Sequence, residues 1–131
     1  MLRVCHLNVY HLYNNVPDVC NFLQSQSSSE YHLFGITESR LDFRITDHSI
    51  SIPDSHIIRR DWQLPGQTGI AVYVRQSVQA ITHRRKDLEN DKIECIWLEL
   101  NRMHLRHCCL CVTCTETQRL PLSGTIPLCR C

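Results

Sequence analysis

From Leu2 to Val9 the alternating sets Leu2, Val4, His6, Asn8 and Arg3, Cys5, Leu7, Val9 place apolar atoms on both faces of an extended segment, the pattern of a buried strand ending at Asn8. Asn14 and Asn15 then precede Pro17 and Asp18, and Val16, Val19, Cys20 and Leu23 recur at helical spacing. This predicts a helix capped by one of the two asparagines, with its apolar stripe laid on a sheet. After the polar run Gln24 to Ser29, Tyr31 to Thr37 predicts a second short strand that runs into Glu38. Strand, helix and strand in this order predict a right-handed crossover unit.

Further along, His56 to Arg60, Gly69 to Val74 and Ile93 to Leu100 predict three more strands, and Leu105 to Val112 another. In the Ile93 segment, Ile93, Cys95, Trp97 and Glu99 alternate with Glu94, Ile96, Leu98 and Leu100, a period of two that excludes a helix. Beyond Val112 the chain has Pro121, Pro127 and Gly124 but no apolar period, so 113–131 is expected to be an irregular tail after a domain spanning 1–112. No internal repeat is present. The expected class is α/β.

Length and composition narrow this picture. The 131 residues suit one domain with a substantial core. With 14 Lys and Arg against 13 Asp and Glu, no overall basic excess marks a dedicated nucleic-acid binder, so any phosphate contact has to be local. No stretch approaches the roughly 20 apolar residues of a membrane span, and Met1 to His6 lacks the layout of a secretory signal. The expectation is a soluble intracellular chain without membrane contact, in which the nine cysteines are reduced thiols.

Asn8 and Glu38 stand at the carboxyl ends of the first two predicted strands, where ligands of α/β sheets collect. A carboxylate beside a carboxamide can hold a hard divalent cation such as Mg²⁺ and orient a phosphate. Taken alone, Asn8 is more readily read as a turn residue and Glu38 as a solvated loop acid, and spacing by itself does not establish a site.

A wider set of residues carries a resemblance. His6-Leu7-Asn8-Val9, then Phe34 to Asp42 (FGITESRLD), Ile58-Arg59-Arg60-Asp61 and Gly69 to Arg75 (GIAVYVR) resemble, in order and spacing, the endonuclease/exonuclease/phosphatase superfamily. The match is specifically to the endonuclease domain of LINE-type retrotransposons, over Leu2 to about Val112. The resemblance implies the first half of a four-layer α/β sandwich and Mg²⁺-dependent cleavage of DNA phosphodiesters. It makes Glu38 the metal ligand, with Asn8 holding the metal site or the scissile phosphate, both as catalytic residues. Arg59 and Arg60 match the family's Arg-Arg-Asp and are its candidate contacts to DNA phosphates. Because adjacent strand residues face opposite sides, at most one of them is expected to reach DNA, and Asp61 is expected to be their partner in a salt bridge or turn.

Four later elements of the family do not occur after Val112: a Tyr-Arg segment, a Gly-Asp-Phe-Asn motif, a further acid and a terminal Asp-His pair. Asp47-His48 matches that last pair literally but comes too early in the order to be the same element. Without the missing acids and histidine the expectation is an inactive chain. The codons allowed for Cys114 to Gln118 can spell Tyr-Arg-Asn-Pro two bases along, so a frame shift near residue 113 would account for the break.

Two rival readings belong to other classes. Cys111-x₂-Cys114 and Cys129-x-Cys131, with His104 or His107 as substitutes, offer a zinc module. The single residue inside the second pair weighs against zinc and favours incidental thiols. A non-catalytic interaction protein is the other reading, built on sheet surface that the missing half would cover. His83-Arg84-Arg85-Lys86 is followed at once by acids and reads as a mixed-charge exposed loop. Cys20, Tyr73 and Trp97 read as packing residues.

Overall fold

The fold is read from a computed structural model that describes residues 2–25, 31–63, 67–102 and 105–113. Strand β1 (Val4–Asn8) lies parallel to β2 (Leu33–Thr37), with Asn8 opposite Thr37. The chain between them forms helix α1 (Leu12–Ser25). Strand β3 (Ser55–Arg60) and β4 (Ile70–Arg75) complete a mixed sheet in the order β1-β2-β4-β3, in which β4 runs antiparallel to both neighbours. After the short helix α2 (Gln76–Gln79), strands β5 (Thr82–Arg84), β6 (Cys95–Arg102) and β7 (Leu105–Thr113) make a second, antiparallel sheet in that order. The chain is thus mixed α/β, two sheets with few helices.

Strand alternation builds two cores. Leu33, Ile70, Val72 and Val74 project from the first sheet onto Ile96, Leu98, Leu100, Leu110 and Val112 of the second, joined by Val78 of α2. The opposite face of the first sheet presents Phe34, Ile36, Ala71 and Tyr73 to Leu12 and Val19 of α1 and to Leu41, Ile50 and Ile52. The described layers are therefore helix, sheet and sheet. Both faces of β2 and β4 are covered, which is why their sequences read as unbroken apolar runs. Gly35 marks a close approach of the two sheets, since a Cβ there would sit 3.4 Å from Val112 Cγ1. Tyr73 is buried as expected, and its hydroxyl donates to the carbonyl of Ile50 at 2.6 Å. Trp97 instead lies half-exposed on the outer face of β6.

Two expectations need correction. The helix begins at Leu12, not at Asn14 or Asn15, so Pro17 stands inside it. The amides of His11 and Leu12 are taken by the carbonyls of Glu38 and Ser39, at 3.3 and 3.0 Å, which starts the helix from outside. Asn15 is no cap; its side-chain amide donates back to the carbonyls of Tyr10 and His11. The second correction concerns the mixed-charge segment, where Thr82–Arg84 is a strand. Pairing with Leu98, Glu99 and Leu100 of β6 creates it, although its own three residues carry no apolar pattern.

His6 lies on the inter-sheet face of β1, with Cδ2 3.7 Å from where a Gly35 Cβ would stand. Its Nε2 is buried without a hydrogen-bond partner among the described residues, and burial lowers its pKa from 6.5. The unfolded chain then takes up this proton before the folded one. Its contribution to stability is full above the unfolded value and is lost as pH falls from there toward the lowered folded value. Chemical denaturation between about pH 5 and pH 7 is expected to show this slope, and His6→Phe to reduce it. An unchanged slope in that variant would assign the pH dependence to other groups.

Candidate functional site

The parallel pairing of β1 and β2 brings their carboxyl ends to one edge of the sheet. There the side-chain amide of Asn8 donates to Oε1 of Glu38 at 3.1 Å. Asn8 is exposed and Glu38 half-buried, so the pair opens to solvent. Backbone bonds zip the two segments together beyond the strands: Val9 N to Thr37 O at 3.1 Å, followed by the two amides that start α1.

The turn after β2 is sharply bent. Glu38 and Arg40 have φ of 55° and 51°, and His11, facing them, has 61°. Left-handed backbone at residues other than glycine is unfavourable and persists where surrounding bonds over-determine it. Here they do. Ser39 N donates to Gly69 O at 3.2 Å and Arg40 N to Thr68 O at 2.8 Å, tying the turn to the bend that precedes β4.

That bend is held in turn by Glu94, just before β6. Its buried carboxylate accepts from Gly69 N at 2.9 Å, from Thr68 N at 3.0 Å and from Thr68 Oγ1 at 3.4 Å. Sequence reasoning gave Glu94 no role, yet a signal was present. It shares a strand face with Ile96, Leu98 and Leu100, and an acid on an apolar face needs partners.

Arg59 and Arg60 diverge as strand alternation requires. Arg59 forks onto Asp61 with two bonds of 2.8 Å, and also reaches Asp47 at 3.0 Å and the carbonyls of Ile45 and Asp42. Burial works against its charge, but the bonds from Asp61 and Asp47 outweigh it and the pKa is raised. Asp61 is therefore a salt-bridge partner, and Asp47 another. Arg60 crosses to the second sheet, donating to the carbonyls of Cys95 and Asn90 at 3.0 and 2.8 Å. Arg59 commits all five of its N–H donors, so a phosphate contact there has to displace one of these bonds, whereas Arg60 commits two.

No family model matches the chain, and no curated protein gives a significant match.

The chemistry available to the Asn8–Glu38 pair rests on its donor set. Mg²⁺ characteristically takes one or two carboxylates and completes its shell with water and substrate phosphate. Glu38 supplies one carboxylate, and Asn8 orients it while remaining exposed enough to meet a ligand. The two residues thus fit one wall of such a centre. Among the described residues no group of three or more His, Cys, Asp or Glu is placed to hold a metal. His104, Cys114, Cys129 and Cys131 of the zinc reading lie outside the described residues, as do the side chain of His107 and the tail after Thr113. Cys20 packs against the α1 core. The basic segment is neutralised locally: Arg84 pairs with Glu89 at 2.9 Å, and Arg85 with Asp87 and Glu99 at 2.7 and 2.8 Å. Among the described residues no helix is long and apolar enough to cross a membrane.

Proposed function

We propose that this chain corresponds to the first part of a metal-dependent endonuclease domain of the LINE retrotransposon type, and that it does not cut DNA by itself. The two sheets would form the inner layers of a four-layer sandwich. The ancestral reaction is Mg²⁺-dependent hydrolysis of a DNA phosphodiester. One observation carries the reading: Asn8 and Glu38, drawn from separate matching segments, are hydrogen-bonded at 3.1 Å at the carboxyl ends of parallel neighbours. Strand alternation and crossover order support it as well.

In this reading Glu38 holds the cation, while Asn8 fixes the carboxylate and can donate to a phosphate oxygen. A bound divalent cation supplies Lewis-acid stabilisation of charge on the phosphoryl oxygens. Hydrolysis also needs a group that takes the proton of the attacking water. Among the described residues no group of three or more His, Cys, Asp or Glu is placed to hold a metal beside Glu38, and a nicking assay tests the proposed inactivity.

The expected result with supercoiled plasmid and Mg²⁺ is no nicking above the level of the Glu38→Gln variant. Affinity for a short DNA duplex is nevertheless expected to rise with Mg²⁺ in the parent chain and to lose that response in Glu38→Gln. Nicking that disappears in the variant contradicts the inactivity; a Mg²⁺ response identical in both proteins removes Glu38 from the metal site.

A further inference from the structure

Arg40 is placed unlike six other arginines of the described residues. Arg44, Arg59, Arg84 and Arg85 face carboxylates, and Arg60 and Arg75 donate to main-chain carbonyls. The guanidinium of Arg40 instead lies over the ring of Tyr10, 4.5 Å from its centroid. Its Nε is buried and has no hydrogen-bond partner among the described residues. Tyr10 is two residues beyond Asn8 and 58% exposed, with His11 edge-on against it. Arg40 is two residues beyond Glu38, on the turn that Gly69 and Thr68 hold. The zipped segments therefore carry the Asn8–Glu38 pair and this cation together.

An arginine on an aromatic face keeps its charge and its in-plane donors while losing side-chain freedom. Such a group is pre-organised for an anion that offers two oxygens, and a phosphodiester does so. We propose that Arg40, laid over Tyr10, binds a DNA backbone phosphate next to the one that meets Asn8 and Glu38. Arg40 positions the strand; Tyr10 positions Arg40. The inference rests on the endonuclease reading for the identity of the polyanion, but the phosphate contact itself does not need a metal.

The test is binding of a fluorescently labelled DNA duplex by the full chain, measured by anisotropy across a salt series with and without Mg²⁺. Arg40→Gln removes the charge and the guanidinium while keeping a polar side chain at the same backbone strain. It is expected to weaken binding roughly fivefold at low salt and to make the slope of log affinity against log salt shallower by about 0.9, the loss of one phosphate contact. Arg40→Lys is expected to retain the slope. Tyr10→Leu, at an exposed position, is expected to weaken binding less and leave the slope unchanged, since no charge is removed. Arg85→Gln, whose charge is already paired, serves as the control without a slope change.

An Arg40→Gln chain with the parent slope overturns the inference, and so does a parent chain that fails to bind duplex at the lowest salt. If Glu38→Gln and Mg²⁺ change nothing while the Arg40 slope effect persists, the endonuclease reading falls and the phosphate contact stands. If Mg²⁺ responds to Glu38 but the slope ignores Arg40, the reverse holds.

Discussion

Replacing Glu94 by alanine is expected to lower the unfolding free energy by about 3 kcal/mol, because each buried donor left without an acceptor costs roughly 1–3 kcal/mol. Two main-chain amides and a hydroxyl, from Thr68 and Gly69, converge on this one carboxylate. At 9% exposure there is little water to replace it. Glu94→Gln keeps a carbonyl oxygen for one amide but turns an NH₂ toward other donors, so an intermediate loss is expected. Urea denaturation of the three proteins checks the order, and an alanine variant losing less than about 1 kcal/mol would mean that water satisfies the bend. The effect reaches the candidate site, because the bend Glu94 holds is the one that receives the amides of Ser39 and Arg40. Duplex affinity is therefore expected to fall along with stability in Glu94→Ala.

Gly69→Ala is expected to cost a comparable amount by a different route. The backbone there has φ of 85°, and a Cβ would lie 2.6 Å from Ser39 Oγ. The left-handed conformation costs an alanine about 1–2 kcal/mol, and overpacking in a fixed environment adds roughly 1–3 kcal/mol. Ser39 is buried, and its hydroxyl has no hydrogen-bond partner among the described residues, so it has little to lose by removal. Ser39→Gly in the same chain should thus recover the overpacking part and leave the conformational part. A double-mutant cycle measured by denaturation separates them. Strict additivity of the two substitutions would show that Ser39 is not the obstacle.

Much of the fold was legible because burial imposes local periods. Six of the seven strands follow apolar alternation or apolar runs, and the helix follows Val16, Val19, Cys20 and Leu23. Asn8 and Glu38 were legible as neighbours because a strand-helix-strand unit returns the chain parallel to itself, so two carboxyl ends meet. What escaped has no local signature. Strand β5 exists only because β6 offers it a ladder. The start of α1 is set by carbonyls some 27 residues downstream, those of Glu38 and Ser39. Arg59 and Arg60 could be assigned to opposite faces, but not to the particular acids and carbonyls that occupy them.

The chain's own pattern of apolar and polar residues determined the α/β class, the strands that carry the core and the edge on which Asn8 and Glu38 emerge, since each of these follows from a period of two or of 3.6. Tertiary structure alone decided which charges are already satisfied and which remain available. That choice depends on donors and acceptors separated by tens of residues meeting within about 3 Å, a distance that no local repeat encodes. Glu94 is turned inward as a latch by such meetings, and Arg40 lies over Tyr10 with its buried Nε lacking a hydrogen-bond partner among the described residues.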